Sequence, residues 1–337
     1  MIMWNSVYLI IKWKGKNNMR TLIIGTGVIG TIYGWALSES GVDITHLVRK
    51  GKKQEYLKGI DLDIYDTRGG NYPENVIQKY YPKLVEDVSE KDNYELIMIP
   101  TRHYQLIETI KELKNRKVSG IFLFFTNNWE GIDEIDNLVP RSKYLWGYAS
   151  SVGGFINGKM ILNISKDYRI GLIEGNTKSK YCSVINLFRK ACFEPDEKKN
   201  MIHWLWLHHA IIAAQVGSIL YFGNAAKSVE SVENTTLMLN AVREAFMIVQ
   251  KRGVNIDDYP SDTALYLHSS LGEVRSKLKY YFTETIWGKR STEQSHLNTN
   301  PRDMKLIFWD VYSTGKKLGV PTPYLDKLQF KLKRESR

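Results

Sequence analysis

The stretch Thr21 to Gly34, T-L-I-I-G-T-G-V-I-G-T-I-Y-G, restricts this chain more than any other. Leu22-Ile23-Ile24 reads as a buried parallel strand. Gly25, Gly27 and Gly30 follow at once in G-x-G-x-x-G spacing, and an apolar, helix-compatible segment runs on to about Ser40. Each glycine has its own task in a dinucleotide-binding turn. Gly25 permits the tight strand-to-helix turn, Gly27 lets a pyrophosphate come against bare backbone, and Gly30, with Gly34 one turn on, lets helix and strand pack closely. The helix N-terminus supplies unpaired N–H groups and a partial positive charge to the phosphates. With a second strand at Asp43–Val48, the context is that of a cofactor site built from Gly25, Thr26, Gly27, Val28, Ile29 and Gly30.

The end of that second strand selects the cofactor. An acid there would bond a ribose 2′-hydroxyl, whereas a cation would receive a 2′-phosphate. The chain offers Arg49, Lys50, Lys52 and Lys53, with no acid until Glu55, so NADP is expected. Two further buried strands, Tyr94–Pro100 and Ile121–Phe125, end in Thr101-Arg102-His103-Tyr104-Gln105 and Thr126-Asn127-Asn128-Trp129. In an open parallel sheet, ligands lie beyond the carboxyl ends of the strands. Arg102 and Asn127 are therefore site candidates, with a turn-forming asparagine as the alternative for Asn127.

The length of 337 residues favours two domains. The net charge of +11 raises the question of a nucleic-acid partner, but residues 1–18 and 327–337 together carry 7 of those charges. The body is only mildly basic, as suits a phosphate-binding enzyme. Cys182 and Cys192 have no zinc-ligand spacing and no partners in C-x-x-C, so no metal is expected and a reducing cytoplasm is favoured. Met1–Trp13 is apolar but lacks a basic start and a cleavage site, and is too short to span a bilayer. Residues 1–18 are read as an extension, with the domain beginning near Met19.

From Tyr144 to Leu172 the pattern is of short strands, with turns expected at Gly153-Gly154 and Asn157-Gly158, the latter a strong hairpin signal. These strands are expected to add antiparallel members to the sheet. Gly171–Asn176 reads as the exit from the first domain (19–176). Beyond Thr177 no strand is expected in residues 177–337. Helices are predicted at 177–192, 199–221, 233–252, 261–289 and 302–319, broken at Asn255–Pro260. An α/β Rossmann-type domain followed by an all-α domain places the substrate in the cleft between them.

From Met19 onward these residues resemble the ketopantoate reductase (2-dehydropantoate 2-reductase) family, as a divergent member. The resemblance rests on the glycine turn, Arg49, Thr101 to Gln105 with Arg102 where the family usually has lysine, Asn127 in place of the L-Q-N-G asparagine, Gly171, and Arg290-Ser291-Thr292-Glu293 in place of R-x-T-E. It implies a second domain of the 6-phosphogluconate dehydrogenase C-terminal kind and a Glu293 that holds the substrate hydroxyl. The family's W-x-K-x-x-x-N helix carries the proton-donating lysine. Aligned on Trp206, this chain has His208 at the lysine and Ile212 at the asparagine, so ketopantoate itself is not the expected substrate. An imidazolium can protonate a developing alkoxide near neutral pH. Trp204, His208 and Gln215 share roughly one helix face. His208 is thus the expected proton donor, with His209 turned away and Lys198 and Lys199 solvated. A core histidine is the alternative.

The expected activity is NADPH-dependent reduction of a small 2-oxo acid or related carbonyl. Cofactor contacts fall to Gly25–Gly30, Arg49, Arg102 and Asn127, catalytic roles to His208 and Glu293, and substrate contacts to Asn127, Gln215 and Glu293. A small molecule is the expected partner, without nucleic acid or membrane, and a homodimer is allowed. The alternatives are a non-catalytic NADP-binding protein and an opine- or hydroxyacid-type dehydrogenase.

Overall fold

Short apolar runs alternating with helices build an eight-stranded sheet in the computed structural model, which describes residues 19–69, 72–293 and 301–332. The extension at 1–18 and the last basic residues, 333–337, lie outside the described residues. The strands are β1 (Thr21–Ile24), β2 (Ile44–Leu47), β3 (Ile60–Asp66), β4 (Glu74–Tyr80), β5 (Leu84–Val85), β6 (Leu96–Ile99), β7 (Ile121–Phe125), β8 (Tyr144–Ala149), β9 (Val152–Ile156), β10 (Lys159–Ile164), β11 (Asp167–Gly171) and β12 (Glu194–Lys198). The main sheet has the order β12-β11-β8-β7-β6-β1-β2-β5. From β5 to β8 every pairing is parallel. This is the doubly wound dinucleotide-binding order, and its direction reverses between β1 and β6, which makes the crevice there the ligand position.

A second sheet, β4-β3-β10-β9, covers the other side of α1 (Val28–Glu39). Between two sheets a helix has no solvent face, which is why Gly30 through Leu37 are all buried and apolar residues surround the axis. The hairpin expected at Asn157-Gly158 joins β9 to β10, with φ of 50° and 81° at its two turn residues. Gly153-Gly154 is not a turn. Both residues lie inside β9, where a side chain on Gly153 would meet the Ile161 carbonyl oxygen at 2.6 Å and Val28 at 3.1 Å. The glycines let the strand lie against its partner and against the start of α1.

After α2 (Leu106–Asn115) and α3 (Lys178–Lys190) the chain makes one more strand, contrary to the expectation for residues beyond Thr177. β12, Glu-Pro-Asp-Glu-Lys, pairs in parallel with β11 at the sheet edge. Such a sequence has no apolar period; it is held by pairing on one side only, and an edge strand of this kind tolerates proline. The helices that follow are α4 (Met201–Phe222), α5 (Val232–Lys251), α6 (Pro260–Leu267), α7 (Leu271–Thr283), α8 (Ile286–Glu293), α9 (Pro301–Lys317) and α10 (Pro323–Gln329). The single helix expected over 261–289 is three, because the Ser270 and Glu273 capping box restarts the chain.

α4 is long and apolar enough to cross a membrane, but over half of its most apolar window is buried, against α5 and α9. It is the centre of the helical half. One apolar core runs from Leu22, Ile97, Phe124 and Trp146 of the sheet into Trp204, Phe246, Phe308 and Leu325.

Candidate active site

The glycine turn is held from below. Gly25 takes φ +84°, open to glycine and strained for other residues, and a Cβ at Gly30 would sit 2.9 Å from the Gly25 carbonyl oxygen. Gly27 differs: a Cβ there meets nothing within 4 Å, so the space over it is open to a ligand. Under the turn, His46 of β2 is fully buried, its Nδ1 2.9 Å from the Gly25 oxygen and its Nε2 3.0 Å from the Tyr80 hydroxyl. A carbonyl can only accept, so Nδ1 carries the proton and Nε2 accepts from Tyr80. Burial pushes the His46 pKa down to about 4, so the ring is neutral at pH 7. Gly34 makes room for it, since a Cβ there would lie 2.3 Å from His46 Nε2. Thr26 is buried and gives its carbonyl to the Thr31 hydroxyl, whereas Val28 and Ile29 are half-buried at the helix start.

At the end of β2, Arg49 and Lys50 are exposed and have no ion-pair partner among the described residues. Lys52 is paired with Glu55. Lys53 is likewise exposed and without an ion pair among the described residues, so three cations are free just beyond β2.

Across the carboxyl edge, the registers place Gly25, Pro100, Phe125 and Gly147 at one level and Thr101, Thr126 and Tyr148 at the next. Asn127 and Asn128 divide the two roles considered for an asparagine here. Asn128 closes the turn, exchanging bonds of 2.8 Å with the Gly131 backbone in both directions. Asn127 Oδ1 is sealed from solvent and has no hydrogen-bond partner, and the same is true of Thr101 Oγ1. Buried polar atoms are seldom left unpaired, so a ligand that donates to both fits the edge. Thr101 was within reach of sequence reasoning, since it opens the segment that supplied Arg102. Arg102 itself, half exposed, is ion-paired to Asp303 of α9 at 2.9 Å and donates to Tyr104, whose hydroxyl reaches Asp303 at 3.3 Å. Its charge is therefore partly taken up by a carboxylate that the sequence reading passed over.

The helical half brings His208 to the edge but not Gln215. Gln215 donates to the Tyr266 hydroxyl at 2.7 Å, inside the helical packing. His208 is half-buried, stacked on Trp204 at 4.8 Å and set edge-on to Tyr148 at 4.7 Å. Burial, with Arg169, His209 and Lys198 acting in the same direction against Asp262, pushes its pKa down to about 3. At pH 7 it is a neutral imidazole, not the imidazolium expected of a proton donor. His209 is fully buried, stacked on Trp129 and 3.5 Å from Asp310. Lys198 is not solvated: its side chain is 6% exposed and bridges Asp196 at 3.1 Å and Asp262 at 3.2 Å. Lys199 is exposed but paired with Asp258. Arg290 ties α8 to the second sheet through Asn163 and Asp63. Glu293 ends α8, and its side chain lies outside the described residues.

Beside the edge, a cavity of about 640 Å³ is walled by Asn127, Trp129, Trp146, Tyr104, Arg302 and Leu306. It is of the size that holds a small organic ligand. Among the described residues no group of three or more His, Cys, Asp and Glu is placed to hold a metal ion.

Comparison with known proteins agrees with this geometry. Residues 21–174 match the family model described as ketopantoate reductase PanE/ApbA. The chain is 24% identical over 288 residues to the uncharacterized oxidoreductase YkpB of Bacillus subtilis, covering 83% of this chain and 90% of that protein. It is 22% identical over 293 residues to 2-dehydropantoate 2-reductase of Pyrococcus abyssi, covering 83% and 89%. Among solved structures, 2-dehydropantoate 2-reductase of Geobacter metallireducens superposes with TM-score 0.69 at 13% identity, covering 93% of this chain and 98% of that one. D-mandelate dehydrogenase with NADH and anilino(oxo)acetate superposes with TM-score 0.68 at 17% identity, covering 93% and 96%. These two show the shared fold.

Proposed function

We propose, for an oxidoreductase-type chain whose residues 21–174 are a domain of the ketopantoate reductase family, that it is an NADPH-dependent reductase of a small 2-oxo acid. The observation that carries the reading is the carboxyl edge at the strand-order reversal. Open space over Gly27, free cations at Arg49 and Lys50, and the unpaired Thr101 Oγ1 and Asn127 Oδ1 all stand just beyond the carboxyl ends of the adjacent strands β2, β1, β6 and β7. The turn and the start of α1 would hold the pyrophosphate, Arg49 and Lys50 the 2′-phosphate, and Thr101 and Asn127 the amide and ribose end. When bound, the cofactor supplies a hydride to the carbonyl carbon. Arg102 stands on the helical side, where its guanidinium would orient an incoming carboxylate that displaces Asp303 from it. Cys182 and Cys192 are both free, in keeping with a reducing compartment.

Calorimetric titration tests the cofactor: NADPH should bind at least tenfold more tightly than NADH, and Arg49→Ala should remove most of that preference. Equal affinities would sink the NADP assignment. Stoichiometric NADPH oxidation against a panel of 2-oxo acids tests the activity. A second reading, an NADH-using hydroxyacid dehydrogenase, is favoured by the D-mandelate dehydrogenase likeness. Preference for NADH on the same panel would select it.

A further inference from the structure

Reduction of a carbonyl needs a proton for the oxygen as well as a hydride for the carbon, and a neutral His208 does not provide a strong acid. Resting on the reductase reading, we propose that Tyr148 is the catalytic proton donor, with Arg169 stabilising the phenolate it leaves.

Position is the first argument. β8 pairs with β7 as far as Phe125 and Gly147, so Tyr148 is the first residue beyond the paired edge, level with Thr126 and Thr101. Alternation along β8 puts Tyr144, Trp146 and Tyr148 on one face, the face turned to the helical half. Trp146 of that face lines the cavity beside the edge, and neighbouring strands are only about 4.8 Å apart. Tyr148 is therefore the hydroxyl of β8 that corresponds to Thr101 on β6.

Packing is the second. The Tyr148 ring stands edge-on to both His208 at 4.7 Å and Trp204 at 5.5 Å. Two contacts from α4 fix it in one pose, as a proton donor requires. Its hydroxyl makes no hydrogen bond among the described residues, and it is not sealed off as the Tyr33 and Tyr168 hydroxyls are. Buried tyrosines normally spend their hydroxyl on the protein; this one is unspent.

Charge is the third. Arg169 lies opposite Tyr148 in the antiparallel register of β8 and β11. It is anchored by Asp167, Ser150 and Asp196, so it stays near whether or not the phenol is ionised. Burial raises the phenol's pKa and Arg169 opposes that rise, which keeps the proton on the oxygen at neutral pH while giving the phenolate a counter-ion.

The step balances without a further reactant. Hydride forms the new C–H bond at the carbonyl carbon, and the C=O π pair moves onto oxygen. The Tyr148 O–H bond breaks and its proton joins that oxygen. The phenolate faces Arg169 and takes a proton back from water when the crevice opens.

The test uses the whole chain. Tyr148→Phe keeps the ring and removes only the hydroxyl. It should bind NADPH within about threefold of wild type by fluorescence titration while kcat falls about 10²–10⁴-fold on the best 2-oxo acid. In parallel, 3,5-difluorotyrosine at position 148 lowers the phenol's pKa with little change of shape, and should move the alkaline limb of kcat to lower pH. That arm carries the test if the phenylalanine variant does not fold. Wild-type turnover matched within fivefold by Tyr148→Phe, or an alkaline limb unmoved by fluorination, overturns the assignment and leaves the reductase reading standing. A wild type that binds NADPH but reduces no carbonyl removes both.

Discussion

Alanine at Gly27 and alanine at Gly34 separate binding from folding. Gly27 has φ −67° and open space where a Cβ would go. Gly27→Ala should melt within about 2 °C of wild type, because nothing in the fold is displaced, yet weaken NADPH binding at least tenfold by occupying the space. Gly34→Ala drives a methyl to 2.3 Å from His46 Nε2 and should cost about 1–3 kcal/mol in urea denaturation. His46 also gives a pH dependence with a definite sign. Its folded pKa of about 4 lies below the ordinary 6.5, so between those values the unfolded chain binds more protons and stability falls as pH falls. A shift of that size corresponds to about 3 kcal/mol, present above pH 6.5, lost progressively down to pH 4, and flat below. His46→Gln should lack this slope when melts of variant and wild type are subtracted across pH 4–7; parallel curves would exclude it. The glycine turn was legible in residue spacing alone. The histidine beneath it was not, because a histidine in an apolar strand announces neither its burial nor its partners.

Elements were readable where an apolar period existed and unreadable where pairing replaced it. β1, β2, β6, β7 and α1 lie close to where their apolar runs place them. β12 does not declare itself, because Glu-Pro-Asp-Glu-Lys forms a strand only when β11 is already there to pair with. Its consequence is Lys198, which a solvated loop would leave exposed. The strand instead carries it between Asp196 and Asp262, binding the sheet edge to α6. Removing one member of such a pair leaves charge uncompensated in a poorly solvated place. Lys198→Ala should destabilise by about 3 kcal/mol, and Lys198→Met together with Asp262→Leu should recover more than half of it. Urea midpoints of the two variants decide this; a double variant as weak as the single one would show the ion pair is not the reason. The proposed site was legible to a similar degree. Its candidates Gly25–Gly30, Arg49 and Asn127 follow from strand ends, whereas the proposed roles of Asp303 and Tyr148 depend on long-range packing that no local pattern encodes.

The division into a sheet half and a helical half does not extend to the core. Ile97, Phe124 and Trp146 of the sheet share one apolar cluster with Trp204, Phe246 and Phe308, and α4 has no exposed face along most of its length. Cutting after Lys198 would uncover this seam on both fragments, an apolar surface larger than soluble monomers carry. Residues 19–198 and 199–337 made separately should therefore fail to give cooperative melts, while the whole chain should unfold in one transition, with far-ultraviolet dichroism and tryptophan fluorescence coinciding. The cofactor turns this into a test of the crevice. A ligand that binds only the folded state adds about 2.7 kcal/mol at a hundred times its dissociation constant. If the sheet and the helical half unfold together, NADPH contacts made mainly by the first half must raise both signals by the same amount. Gly27→Ala at the same NADPH concentration should show the single transition with less of the rise. Two separated transitions, with only the earlier-folding half shifted by NADPH, would mean that the halves are energetically independent. The crevice would then be a gap between two bodies instead of a groove in one, and Asp303, His208 and Tyr148 would not be held in register by the fold alone.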